Sequence, residues 1–285
     1  MASLREIKDH IGSVRSTLKI TSAMKLVASA KLRKAQQAVE GMRPYSEALS
    51  EILAAVSGFS AVRMQEGPNC IQGKIAIVGV SSNSSLCGAF NVNVVRKVQE
   101  LATEFKKQGA GVEVYSVGRK MAEAMRKAGY PSEDYSDLVG KCSFEKASAF
   151  AQSLLDAHAQ DRYDSIFLVY NHFVSTASQK VQVEQYLGTG GDIAEQMPDS
   201  ATEEYIVEPS REEVLATLRP QVMRLRLYSV LLDSIAAEHA ARTIAMQAAS
   251  DNAEDLLGTL TLEYNKGRQQ KITSEILDLV GGAQQ

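Results

Sequence analysis

Tryptophan is absent, and aromatic residues make up only 6% of the 285 positions. A core without large rings must be built from aliphatic side chains and alanine, which favours helices over a β-sandwich. Cysteine is equally scarce. Cys70, Cys87 and Cys142 form no CxxC pair and no even ladder of disulfides, so a reducing compartment is the simpler reading. No stretch approaches the roughly 18 consecutive apolar residues of a membrane span. The longest near-continuous run, Ile75-Ala76-Ile77-Val78-Gly79-Val80, has strand length. The opening Met1-Ala2-Ser3-Leu4-Arg5-Glu6 has neither an apolar signal core nor the acid-poor character of a transit peptide. If such a protein works at a membrane, other proteins are expected to hold it there. A net charge of −3 excludes a general polycationic coat for nucleic acid. Hydrophobic residues at 45% and charged residues at 23% exclude a mostly disordered chain, and the length allows one or two domains.

What the sequence does hold is concentrated at its ends. Residues 3 to about 57 read as one helix, with Leu4, Ile7, Ile11, Val14 and Leu18 repeating in steps of three and four. The register resumes at Ala28, Leu32, Ala35 and Val39, after an interruption at Thr21 and Lys25. Pro44 is a candidate kink. Ser210 with Glu213 forms a second helix start, directly after Pro209. Between Gln221 and Leu257 there is neither Gly nor Pro, and Leu225, Leu232, Ile235, Met246, Ala249, Ala253, Leu256 and Leu260 fall near one face. The pattern picks up Ile272, Ile276 and Val280, and Pro220 either starts or kinks the element. At 1.5 Å per residue the two helices run roughly 80 Å and 90–100 Å. Such lengths require them to pack on each other, parallel or antiparallel, as a protruding pair.

The middle alternates strand and helix: strands at Lys74–Val80, Val112–Val117, Ser165–Tyr170 and Lys180–Leu187, and helices at Asn91–Gln108, Arg119–Ala128 and Phe144–Gln160. The expected fold is therefore α/β, a Rossmann-like, mostly parallel central domain with a long coiled coil of N- and C-terminal helices. Its parts are a first shaft helix at 1–60, the α/β domain at 70–190, a linker at 191–209 and a second shaft helix at 210–285.

The first strand–helix turn reads Val80-Ser81-Ser82-Asn83-Ser84-Ser85-Leu86-Cys87-Gly88-Ala89-Phe90-Asn91. It carries neither GxGxxG nor GxxxxGK[ST], so no glycine nest for phosphates is expected, and the serines read as caps for the following helix. Cys87 lies near that helix start, but nothing in the spacing joins it to His158 or His172. With His10 and His239 these histidines show no metal spacing. No cofactor, metal or catalytic residue is therefore expected. The first helix, by contrast, has no acidic residue between His10 and Val39, while Arg15, Lys19, Lys25, Lys31, Arg33 and Lys34 are basic. A single-sign surface suggests an acidic partner. Small residues beside the seam (Ser22, Ala23, Ala28, Ser29 and Ala30, with Ala236, Ala237, Ala240, Ala241, Ala245, Ala248 and Ala249) allow close helix approach and a thin rod. On residues alone three readings stay open: a rod inserted into a protein channel, a nucleotide-dependent α/β enzyme, and a basic coiled-coil adaptor for nucleic acid.

Longer motifs separate these readings. Lys19-Ile20-Thr21-Ser22-Ala23-Met24-Lys25-Leu26-Val27-Ala28 resembles the N-terminal signature of the gamma subunits of rotary proton-translocating ATP synthases. The run from Ala240 to Ala253 and the run from Tyr264 to Glu275 resemble the C-terminal signature. Ser85-Leu86-Cys87-Gly88-Ala89-Phe90-Asn91 is similar to the family's loop after the first strand, although Asn83-Ser84-Ser85 stand where the family commonly has Asp-Arg-Gly. The redox-regulatory insertion of plastid members is absent.

The resemblance implies a non-catalytic rotor shaft that binds no nucleotide. Its coiled coil would stand in the cavity of the alpha–beta hexamer, and its α/β part would grip the c-subunit ring with the epsilon subunit. It would be peripheral, on the cytoplasmic face of a bacterial plasma membrane, with no transmembrane segment and no nucleic-acid partner. Carried over by position, Met24, Lys25, Arg242, Arg268 and Gln269 would face the acidic catch loop of beta. Thr273 and Glu275 would pack on the shaft close by, and Tyr205 and Glu208 would lie toward the c ring and epsilon.

Overall fold

The computed structural model describes residues 3–57, 73–130, 132–140, 142–188 and 207–282. Two helices bracket the chain: α1, Leu4–Ser57, and α6, Arg211–Gly282. Each begins on a serine. The Ser3 amide donates to Glu6 Oε2 at 2.8 Å and the Glu6 amide donates to Ser3 Oγ at 3.2 Å, a complete reciprocal capping box. At α6 the Glu213 amide donates to Ser210 Oγ at 3.3 Å. Both helices continue through their internal prolines, Pro44 and Pro220.

Between them lie β1 (Lys74–Val80), α2 (Phe90–Lys107), β2 (Gly111–Val117), α3 (Arg119–Lys127), β3 (Ser132–Asp134), α4 (Asp137–Gly140), α5 (Phe144–Ala159), β4 (Ser165–Phe173) and β5 (Gln179–Gly188). The strands form one sheet in the order β3-β2-β1-β4-β5. The β1–β2, β1–β4 and β2–β3 pairs are parallel, as the intervening helices require. The β4–β5 pair is antiparallel, because residues 174–178 leave room only for a hairpin. The sheet is thus mostly parallel, as expected, with one antiparallel edge. The short β3 and α4, which the sequence reading passed over, are below the length at which periodicity registers.

Side chains of β1 alternate between two cores. Ile75 and Ile77 join Val94, Val98, Leu101 and Phe105 of α2 and Met121 and Met125 of α3. Ala76, Val78 and Val80 join Phe150 and Leu154 of α5 and Leu227, Val230 and Leu231 of α6. The sheet is thus covered on both faces, as parallel strands demand. The compact unit built this way spans residues 30–241 and takes in the adjoining parts of both long helices, where Leu32 and Ala35 pack with Ala236 and Ala240. The other unit comprises residues 1–29 and 242–285.

Polar ties fasten α6 to the sheet. Arg226 grips Glu184 of β5 through two bonds, Nε–Oε1 at 2.8 Å and Nη2–Oε2 at 2.5 Å, and the Tyr170 hydroxyl donates to Glu184 Oε2 at 3.1 Å. Asp233 accepts from the Phe173 amide at 3.1 Å and lies 2.6 Å from His172 Nδ1.

Glu184→Ala is expected to lower unfolding stability by about 1–2 kcal/mol, since half-buried Arg226 would lose both acceptors, water taking up only part of the loss. Glu184→Gln, which retains one acceptor oxygen, should cost less, and urea midpoints read both. A second expectation concerns Cys142, whose thiol burial pushes up to about 11 from an ordinary 9.0. Alkylation followed by mass mapping should find it slow at pH 8 and still accelerating toward pH 11. Because the folded thiol holds its proton where an unfolded one ionises, the stability it contributes is intact below pH 9 and is lost between 9 and 11.

Candidate functional site

The turn after β1 is the place where an α/β sheet would hold a nucleotide. Its polar groups are spent on the amides that open α3. Ser81 Oγ accepts from the Met121 amide at 2.9 Å, the Ser82 carbonyl from the Lys120 amide at 3.2 Å, and Asn83 Oδ1 from the Arg119 amide at 2.9 Å. The serine-rich turn therefore caps α3, not the α2 that follows it, because Gly118 lets the start of α3 close on Ser81. A Cβ at Gly118, where φ is +108°, would stand 2.3 Å from the Ser81 carbonyl oxygen. Asn83 also donates through Nδ2 to the Ser136 carbonyl at 2.9 Å, a bond an aspartate could not make. Asn91 turns back into the same turn, donating to Ser82 Oγ at 2.9 Å and to Cys87 Sγ at 3.1 Å, so Cys87 is a buried packing residue. Neither His158 nor His172 partners it: His158 is bonded to the Tyr163 carbonyl and His172 to Asp233. Among the described residues no group of three potential metal ligands converges. Cys70 and Tyr205 lie outside the described residues.

The exposed, one-signed surface is on the unit of residues 1–29 and 242–285. Its two helices run antiparallel. Leu4 lies against Gly267 and Thr21 Oγ1 bonds Ser250 Oγ at 2.8 Å, so a rise of seventeen on α1 matches a fall of seventeen on α6. The seam of α1 is Ile7, Ile11, Val14 and Leu18, and that of α6 includes Ala253, Leu257 and Leu260. Met246 and Ser250 extend the α6 stripe, giving steps of four and three from 246 to 260. Ala249 and Leu256, read from sequence as seam residues, stand one position aside, and Leu256 is exposed. Thr21 is not an interruption: it is buried, with Ser22 Oγ also 3.5 Å from Ser250 Oγ. Its hydroxyl additionally donates to the Leu18 carbonyl at 3.1 Å, so the seam's polar layer is satisfied from within.

With the seam filled, α1 turns Arg15 and Lys19 fully to solvent and Lys25 partly so. Exposed apolar side chains sit among them, with Leu26 at 70% and Ile20 and Val27 more than half exposed. These cations make no ion pair among the described residues. On α6, Asp251, Glu254 and Asp255 are exposed, so the pair of helices is electrically lopsided.

The expected contact residues fall into two groups. Met24 and Lys25 are half-buried on α1, and the antiparallel register sets buried Arg242, itself engaged by neighbours, within about two helical turns of their level. Arg268 and Gln269 lie beside the level of Leu4, about 30 Å along the coil from Lys25. The two groups therefore stand at two levels of the coil. Thr273 and Glu275, beyond the level at which Leu4 meets Gly267, are both exposed, with Thr273 Oγ1 donating to the Gln269 carbonyl at 2.9 Å and Glu275 3.8 Å from Lys271 Nζ. Glu208 is exposed just ahead of α6.

A family model described as ATP synthase matches residues 3–285. The ATP synthase gamma chain of Phocaeicola vulgatus is 46% identical, with 99% of each chain covered. That of Bacteroides thetaiotaomicron is 43% identical over the whole of both chains, and that of Flavobacterium psychrophilum 41% identical, covering 100% of this chain and 99% of its own. Among solved structures, the rotor of the Euglena gracilis mitochondrial ATP synthase superposes with a TM-score of 0.67 at 20% identity, covering 94% of this chain and 98% of that one. The central stalk and c-ring structure from Tetrahymena thermophila gives 0.58 at 24%, covering 81% and 99%. The structural likenesses fix the fold, and the full-length sequence identities fix the kinship: this chain belongs to the ATP synthase gamma-chain family.

Proposed function

We propose that this chain is a non-catalytic rotor shaft that couples proton flow through a membrane c ring to the conformational cycle of beta-subunit catalytic sites. The observation that carries this reading is the exterior of the coil: unpaired cations and exposed apolar side chains on α1, beside a carboxylate strip on α6, around a seam already full. A rod with one basic and one acidic flank has no three-fold symmetry. Three identical subunits around it meet three different surfaces, and turning the rod exchanges them. Met24 and Lys25 are assigned to an acidic loop of beta, with Arg242 beneath them. Arg268, Gln269, Thr273 and Glu275 are assigned to a second level of the alpha–beta cavity. Tyr205 and Glu208 are assigned to the side that meets epsilon and the c ring.

The chain would sit at the cytoplasmic face of the bacterial plasma membrane, held by its partners, and no described helix is long and apolar enough to cross a bilayer. The self-capped amides of α3 support the absence of a nucleotide site here and weigh against the enzyme reading. The apolar residues interleaved with the cations of α1 favour a protein cavity over nucleic acid.

Membranes whose ATP synthase lacks this chain should make no ATP from an imposed proton gradient, and normal coupled synthesis without it would end the proposal. Lys25→Glu reverses one part-exposed charge, an effect of about 1 kcal/mol or about fivefold in binding. Coupled synthesis should fall accordingly at low salt, and the gap from the parent should narrow as ionic strength rises.

A further inference from the structure

A second one-signed surface lies on the α/β unit. The two helices covering one face of the sheet, α2 and α3, carry eight cations against three carboxylates in a chain whose net charge is −3. Four of these cations close the helices: Lys106 and Lys107 in the last turn of α2, Arg126 and Lys127 in the last turn of α3. The two ends are joined by Tyr130, whose hydroxyl lies 3.4 Å from Thr103 Oγ1 and whose ring carries Lys106 Nζ at 3.9 Å from its centroid. Lys74, at the start of β1, is next to this edge because it pairs with Gly111, where β2 begins. All five cations are exposed, and none makes an ion pair among the described residues. The carboxylates closest in sequence to them are Glu104, on the last turns of α2, and Glu123 of α3, which pairs with Lys120 at 2.7 Å; Asp164, beside the start of β1, spends Oδ2 on the Lys74 amide at 2.6 Å.

Cations at helix C-termini complement the helix dipole, and that accounts for some of them. It does not account for their confinement to one face. Helix α5 ends at the same edge of the sheet, covers the opposite face, and has only His158 as a basic residue in its last turn. The edge also lies at a defined end of its unit. Tyr186 meets the Met223 carbonyl toward this side, whereas Asp233 and Ala237 of α6 meet Phe173 at the far end of the strands.

We propose that the edge formed by Lys74, Lys106, Lys107, Arg126, Lys127 and Tyr130 is an electrostatic docking surface for anionic phospholipid headgroups. Long, exposed cations, none of them held in an ion pair among the described residues, suit a diffuse field of negative charge better than a shaped protein loop. A tyrosine with its ring packed and its hydroxyl at the rim suits the boundary between apolar and wet surroundings. The proposal is independent of the contacts assigned to the coil, although a membrane-bound rotor gives it its setting.

The test is co-sedimentation of the full-length chain with vesicles of phosphatidylcholine alone or with one quarter phosphatidylglycerol. The expected result is partition into the anionic vesicles only, abolished at high salt, and reduced at least tenfold by Lys106→Glu with Lys107→Glu or by Arg126→Glu with Lys127→Glu. Lys106→Gln with Lys107→Gln should give a smaller loss, and unchanged circular dichroism separates lost charge from lost fold. Absence of partition, equal binding to neutral vesicles, or binding lost through Arg15→Glu with Lys19→Glu but kept by the edge variants would overturn it. So would tight binding of polyglutamate without vesicle binding, which would give the edge to an acidic protein. Coupled ATP synthesis is not a readout here, so failure of the lipid assay and failure of the shaft reading remain distinct results.

Discussion

Two distant parts of one chain can share a seam only if both keep the same seven-residue rhythm in opposite directions. In residues 1–29 and 242–285 they do, and the constraint governs the rest of that unit's surface. Once Ile7, Ile11, Val14 and Leu18 face Ala253, Leu257 and Leu260, the positions between them must point outward, and those positions carry Arg15, Lys19, Asp251, Glu254 and Asp255. The charged exterior is what the buried stripe leaves over. Thr21 and Ser250 join the stripe without breaking it because each hydroxyl finds its partner within the pair of helices.

The α/β unit solves a different problem. A helix that follows a parallel strand offers free amides at its start, which in many folds bind phosphate. Here Ser81, Ser82 and Asn83 occupy the amides of α3, and Gly118 permits the close approach. Arg226–Glu184 and Asp233 then fix α6 to the sheet.

Much of this was legible in the residues because period is a direct record of burial. The three-four steps of α1 and α6 and the unbroken apolar run of β1 needed no tertiary context. What was missed depended on partners distant in sequence. Thr21 looked like a gap until Ser250, 229 positions away, was placed beside it. Ala249 and Leu256 are as apolar as their neighbours, and only the facing helix decides which stripe is buried. The antiparallel turn of β5 followed from a hairpin too short for a crossover, a length the sequence displayed and the reading passed over. The residues named through resemblance came without their levels along the coil, since separation along a coil follows from register and not from motif.

Past Gly267, which meets Leu4, no described residue of α1 accompanies α6 to Gly282, a length at which a solitary helix in water is close to the balance between order and melting. Among the described residues, that segment has no second strand to share a bending or twisting load. Its straightness therefore depends on whatever surrounds it, and it is the softest spring in an otherwise doubled filament.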